Sequence, residues 1–129
     1  MRIEHVAVWT HDLDRLREFY ERWFGAVAGE RYERPETAYA SYFLEFEDGA
    51  RLELMSRPDI PATRDSPHAQ FTGLIHLAFE LGSEDRVDAL TAELEAAGVE
   101  VVDGPRRTGD GYYESSVLDP DGNRIELAA

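Results

Sequence analysis

The stretch DGARLEL, Asp48 to Leu54, returns as DGNRIEL at Asp121 to Leu127, an offset of 73 positions. Each copy is an Asp-Gly turn running into an alternating strand, with a glutamate set between two apolar residues. The correspondence extends outward. RIEHVAVW, Arg2 to Trp9, and GLIHLAFEL, Gly73 to Leu81, each read as an apolar strand carrying one histidine, and His5 maps onto His76 at an offset of 71. Each of these strands is followed by a helix. In HDLDRLREFYERWFG, the residues Leu13, Leu16, Phe19, Tyr20, Trp23 and Phe24 fall at helical spacing and Gly25 stops the run. In SEDRVDALTAELEAAG, Ser83 caps, Val87, Leu90 and Leu94 form the stripe, and Gly98 ends it. Strand-like segments then complete each half: AYASYFLEF and RLELM in the first, YYESSVL and RIELA in the second. The expected architecture is α+β, two repeated β-α-β-β-β modules over residues 1–56 and 73–129, joined by the proline-bearing linker Ser56–Thr72 into a single domain of 129 residues.

Composition narrows the chemistry. The chain has 27 acidic and 13 basic side chains, a formal net charge of −14, which opposes binding to nucleic acid or anionic lipid. Every basic residue is arginine, so Schiff-base chemistry and a P-loop are excluded. The absence of cysteine removes disulfides, thiolate nucleophiles and thiolate metal sites. No apolar run approaches the roughly 18 residues of a membrane span. With no basic and apolar leader at the N-terminus, a cytoplasmic location is expected.

Strand alternation puts His5 on one face with Ile3, Ala7 and Trp9, while Val6 and Val8 face the other way. His76 and Ala78 similarly oppose Ile75, Leu77 and Phe79. Glu53 lies between Leu52 and Leu54, and Glu126 between Ile125 and Leu127. A strand glutamate is ordinarily just the solvent-facing member of its pattern, and a strand histidine ordinarily packs. Here those roles must hold four times at equivalent places. If an approximate two-fold axis relates the modules, the four residues meet as two imidazoles and two carboxylates. Facing carboxylates repel unless protonated or bridged by a cation. A divalent ion removes that cost, and the nitrogen and oxygen donors suit Ni2+, Co2+, Mn2+, Fe2+ or Zn2+ without choosing sharply among them.

These features resemble the vicinal oxygen chelate superfamily, which includes glyoxalase I, bleomycin-resistance proteins, fosfomycin-modifying enzymes, methylmalonyl-CoA epimerase and extradiol dioxygenases. The resemblance covers nearly the whole chain and is carried best by LDPDGNRIEL, Leu118 to Leu127, and by HVAVWTHDLDRLREFYERWFG. It implies an open, eight-stranded, cup-shaped sheet with helices on the convex side, one metal ion per site, and a homodimer. Carried over by position, the implied ligands are His5, Glu53, His76 and Glu126. This set is most similar to that of glyoxalase I.

Four protein ligands on an octahedral ion leave two positions for neighbouring substrate oxygens. Ring-cleaving dioxygenases need a third open position, which Glu53 would fill. The chemistry expected is metal-assisted proton transfer, an isomerisation formally classed as a lyase reaction for glyoxalase I. Glu126 or Glu53 serves as the base, with Glu126 favoured. Two departures bear on the substrate. Glyoxalase I commonly has an arginine four residues after the first histidine, where this chain has Trp9, and often an asparagine four after the second ligand, where this chain has Arg57. A strictly glutathione-dependent activity is therefore not expected. Trp9 and Arg57 are expected at the substrate. An even-numbered Asp-Gly turn would place Tyr113, Ser115 and Val117 on the face of Glu126, and Tyr42 and Leu44 on the face of Glu53; Tyr42, Tyr113 and Ser115 are thus the further wall candidates. His11 and His68 read as surface residues. The rival functions are a small-molecule (antibiotic) binding or resistance protein, or an extradiol-type dioxygenase.

Overall fold

In the first half of the chain strand β1 (His5–Trp9) passes into helix α1 (Leu13–Phe24) through a capped turn. Asp12 Oδ1 accepts a hydrogen bond from the Arg15 amide at 3.0 Å, and Thr10 Oγ1 accepts one from the Asp12 amide at 3.0 Å. Gly25 ends the helix with a left-handed φ of 64°. Leu13, Leu16, Phe19 and Tyr20 are buried, whereas Trp23 and Phe24 are only partly covered. The chain continues through β2 (Val27–Ala28), β3 (Tyr32–Arg34), β4 (Tyr39–Glu45) and β5 (Arg51–Ser56). The sheet order is β1-β5-β4-β2, with β3 also on β4; β1 runs parallel to β5 and the other pairs are antiparallel.

The second half repeats this order with β6 (His76–Glu80), α2 (Glu84–Ala96), β7 (Val101–Arg107), β8 (Tyr113–Leu118) and β9 (Arg124–Ala128). Ser83 caps α2, its Oγ accepting from the Arg86 amide at 3.3 Å, and Glu84 and Asp85 place negative charge in the first turn. The sheet order is β6-β9-β8-β7, with β6 parallel to β9. The computed structural model describes residues 1–129 as two units, Met1–Ala62 and Thr63–Ala129, each a helix packed on one side of a mixed sheet. Neither helix is long and apolar enough to cross a membrane.

The nine strands are the eight expected with one edge strand divided. The edge strand of the first half is broken at Gly29–Arg31 into β2 and β3, which pair with successive parts of β4. The break is local, because the Gly29 amide still donates to the Phe43 carbonyl at 2.9 Å. Between β5 and β6 the chain carries only an isolated bridge of Ser66 with Ala69.

The strand register overturns the even-turn expectation. Leu44 faces Leu52 and Phe43 faces Glu53 across β4–β5; Leu118 faces Arg124 and Ser116 faces Glu126 across β8–β9. Both connections hold an odd number of residues. In the second, Asp119 organises a wider loop than a two-residue turn. Its Oδ1 accepts from the amides of Asp121 and Asn123, each at 2.9 Å, and its Oδ2 from Asn123 Nδ2 at 2.8 Å. The Asp119 amide also donates to the Asn123 carbonyl at 2.9 Å, and Gly122 takes the positive φ of 82° that the loop requires.

This register assigns the faces. Leu52 and Leu54, with Tyr42 and Leu44, lie under α1; Ile125 and Leu127, with Ser115 and Val117, lie under α2, and all are buried. Tyr113 shares that second helix-bearing face.

Candidate metal centre

Opposite the helices, each sheet presents one histidine and one glutamate. His5 is on β1 at the register of Arg51, two residues before the partner of Glu53, so both side chains leave the same face. His76 and Glu126 stand in the same relation on β6 and β9. His5 Nε2 is 3.8 Å from Glu53 Oε2, and His76 Nδ1 is 3.1 Å from Glu126 Oε1. The glutamates are the more covered members, at 14% and 18% exposed, against 39% and 36% for the histidines. Duplication thus delivers the same pair of donors twice. The sequence reasons are plain: the alternation of RLELM and RIELA drives leucine or isoleucine under the helix and leaves glutamate on the free face.

Donor chemistry and spacing fit a divalent ion. Two donors bound to one ion at about 2.1 Å stand about 3.0–3.4 Å apart. The His76–Glu126 pair at 3.1 Å is already within that range. The His5–Glu53 pair, at 3.8 Å, is slightly wider and is held by neighbours. His5 Nδ1 is hydrogen-bonded to Glu4, which also accepts from Arg51. Glu4 carries a carboxyl below its ordinary range, first because of the His5 bond and then because of Arg51. A carboxylate on one imidazole nitrogen leaves the other nitrogen as donor toward the free face, the usual support of a metal-binding histidine. The second support is the Tyr39 hydroxyl, which donates to Glu53 Oε1 at 3.1 Å. Burial pushes the Tyr39 phenol up, Ser41 opposes this, and the Glu53 carboxylate adds to it. Each module by itself offers two donors, and no cluster of three or more His, Asp or Glu side chains poised for a metal is formed within either one.

Module two lacks these supports. The residue equivalent to Tyr39 is Tyr112, which is exposed and makes no hydrogen bond to Glu126. Its free face instead carries Glu114, whose carboxyl is raised, first by burial and then by the charge of Glu126.

The wall candidates separate cleanly. Trp9 is on the free face of module one, 39% exposed, and meets Tyr39 edge-to-face at 6.3 Å between ring centroids. Arg57 lies over the Trp9 ring at 5.5 Å, with Nε donating to Asp59 at 2.5 Å. Tyr42, Tyr113 and Ser115 are corrected to the helix-bearing faces. Tyr42 donates to Asp14 at 3.3 Å, Tyr113 to Asp88 at 2.7 Å, and Ser115 Oγ is 2.6 Å from Thr91 Oγ1, so each is tied to its own module's helix. Residues that sequence reading missed take their places: Tyr39, Ser41 and Phe43 beside Glu53, and Glu114 and Ser116 beside Glu126. The overlooked signal was Glu114, a carboxylate that has no business under a helix. His11 and His68 are exposed, the former with Nε2 2.7 Å from the Ile60 carbonyl.

The chain is 28% identical over 130 residues to the uncharacterized protein YqjT of Bacillus subtilis (strain 168), covering 98% of each. It is 27% identical over 114 residues to the mitochondrial methylmalonyl-CoA epimerase of Bos taurus, covering 84% of this chain but only 61% of that protein. Among solved structures, the trypanothione-dependent glyoxalase I of Leishmania major matches with a TM-score of 0.76 and 25% identity, over 98% of this chain and 85% of that one. The model of the Glyoxalase/Bleomycin resistance protein/Dioxygenase superfamily matches residues 2–127, and the chain belongs to that superfamily.

Proposed function

We propose that the protein is a metal-dependent, glyoxalase-like enzyme that isomerises a small molecule by proton transfer, holding it through two neighbouring oxygens. The observation that carries this reading is the His–Glu pair on the free sheet face of both modules. His5, Glu53, His76 and Glu126 are the proposed ligands of one divalent ion, Ni2+, Co2+, Mn2+, Fe2+ or Zn2+. The ion, when bound, supplies Lewis acidity that makes a C–H beside a carbonyl easier to deprotonate. The chain's residues do the rest. Glu126, which no phenol tethers, is the proposed base that takes the proton and returns it to the adjacent carbon. Glu53 is the steadier carboxylate, and Trp9 offers an aromatic surface to the substrate with Arg57 at its face. An epimerase and a glyoxalase I among the similar proteins support proton transfer over ring cleavage.

The test begins with metal analysis of wild type and His76→Ala. Stoichiometric metal in wild type and its loss in the variant are expected; equal occupancy in both sinks the ligand assignment. Metal-loaded protein is then offered 2-oxoaldehyde hemithioacetals, epimerisable thioesters and catechols in deuterated water. Isomerised product with solvent deuterium at the reacting carbon is expected. Oxygen-dependent ring opening of a catechol would replace this reading with a dioxygenase, and tight binding without turnover would replace it with a sequestering protein. The active form is proposed to be a homodimer, since sheet edges such as β1 and β6 remain unpaired on one side within their own sheets. A monomeric mass at micromolar concentration with metal bound would refute it.

A further inference from the structure

The free face of module one contains an interaction that module two does not share. Tyr39 begins β4, one residue before Ala40, which pairs with Ser56, and so lies well down the sheet from Glu53, which faces Phe43. Residues two apart on one face are separated by about 6.6 Å, so the Tyr39 and Glu53 backbones are about 13 Å apart along the strands. Contact is possible because the intervening residue on that face is Ser41, small and 3% exposed, over which the phenol can lie. The ring is wedged edge-on between Trp9, at 6.3 Å, and Tyr32, at 6.1 Å between centroids. Its hydroxyl ends 3.1 Å from Glu53 Oε1, leaving Oε2 as the oxygen turned toward His5 Nε2 at 3.8 Å.

We propose that Tyr39 is a positioning residue that holds the Glu53 carboxylate in a single orientation, with Oε2 presented for metal ligation. This rests on the assignment of Glu53 as a ligand. A hydrogen-bonded ligand loses less freedom on binding, and removing such an outer partner typically weakens metal affinity about 10–100-fold. Tyr112, the equivalent residue of module two, has no such role.

The experiment is a titration of chelator-treated protein with Co2+, followed by calorimetry and by the visible absorption of the bound ion. Wild type, Tyr39→Phe, Tyr112→Phe, Glu53→Gln and the Tyr39→Phe/Glu53→Gln double variant are compared. Phenylalanine keeps the ring between Trp9 and Tyr32, so the fold is retained and thermal melts verify it. Tyr39→Phe is expected to weaken Co2+ binding about 10–100-fold and to alter the visible spectrum, with Tyr112→Phe matching wild type. In the double variant the tyrosine change is expected to add little to the glutamate change, because both act through one carboxylate. Unchanged affinity and spectrum in Tyr39→Phe overturn the proposal, as does full additivity with Glu53→Gln. Wild type that binds no Co2+ overturns the proposed function itself, a result distinct from either of these.

Discussion

Ser115 decides between a wall residue and a packing residue, and its surroundings set the size of the answer. Its side chain is 1% exposed, and its hydroxyl meets Thr91 Oγ1 at 2.6 Å; Thr91 in turn donates to the Val87 carbonyl at 2.6 Å within α2. In Ser115→Ala, the Thr91 hydroxyl keeps its helix bond, so the loss is one net hydrogen bond, about 0.5–1.5 kcal/mol. Thr91→Val is different. It preserves shape but strands the buried Ser115 hydroxyl, at a cost of about 1–3 kcal/mol. The double variant strands nothing, and should be less damaged than the sum of the singles by about 1 kcal/mol. For a chain of this length each kcal/mol moves Tm by about 3–5 °C. Thermal melts and urea unfolding of the four proteins give the cycle, alongside ligand affinity or kcat/KM once a substrate is in hand. Ser115→Ala should lower Tm and leave the kinetics alone. An unchanged Tm with altered affinity or turnover would refute the face assignment derived from the β8–β9 register.

Glu114→Gln tests the crowding of carboxylates on the free face of module two. A carboxyl whose folded pKa is raised above its unfolded value contributes stability that is complete at low pH and lost as pH rises through the folded value. The variant should therefore be more stable than wild type at pH 7, with the difference fading below about pH 4 in melts across that range. Two glycine substitutions should separate conformational cost from collision. Gly122→Ala meets nothing within 4 Å and should lose only about 1–2 kcal/mol for its φ of 82° in urea unfolding. Gly104→Ala would place Cβ 2.5 Å from the Glu114 carbonyl and should cost clearly more or prevent folding. Glutathione hemithioacetal should be a poor substrate, with kcat/KM below about 10⁴ M⁻¹s⁻¹ on Ni2+-, Co2+- and Zn2+-loaded protein. Trp9 cannot supply the charge-assisted hydrogen bond that an arginine gives a carboxylate. A value above that range would show Arg57 turning to the ligand instead of lying on Trp9.

Much of this was legible because duplication doubles every signal. Both helices and the leucine-rich undersides of β5 and β9 follow from periodicity, Ser83 and the two glycine stops from their residue types, and the repeated Glu between apolar residues marks the free face in each half; the Asp12 cap of α1 was not read. What stayed hidden was parity. In Tyr39–Glu45, a small residue and large aromatic or aliphatic ones occupy both faces, so β4 alone does not reveal which side lies under α1. The turn had to decide, and Asp-Gly suggested a two-residue connection. The Asp119 side chain instead builds a wider loop, which shifts the pairing by one residue and moves every side chain of the neighbouring strand to the other face. That step moved Tyr113 and Ser115 under α2; in module one the odd connection between Leu44 and Leu52 does the same, moving Tyr42 under α1 and leaving Tyr39 on the free face. The broken edge strand β2–β3 was equally unreadable, since strands of two and three residues carry no periodicity.

The two copies repeat the same His–Glu pair and differ in its neighbours. Across the antiparallel pair, Glu53 faces Phe43 and Glu126 faces Ser116; the next residues on the same face are Ser41 and Glu114. Glu53 therefore sits among aromatic rings and accepts a phenol, while Glu126 has a small hydroxyl opposite it and another carboxylate nearby. Holding an ion and moving a proton make opposite demands on a carboxylate. The first wants an orientation fixed by outside hydrogen bonds; the second wants an oxygen able to leave its partner and reach a substrate carbon. A duplication that kept identical surroundings would give two equivalent glutamates and no physical ground for different duties. Here divergence supplies that ground: Tyr39 restrains one glutamate, and the second module has no equivalent bond on the other.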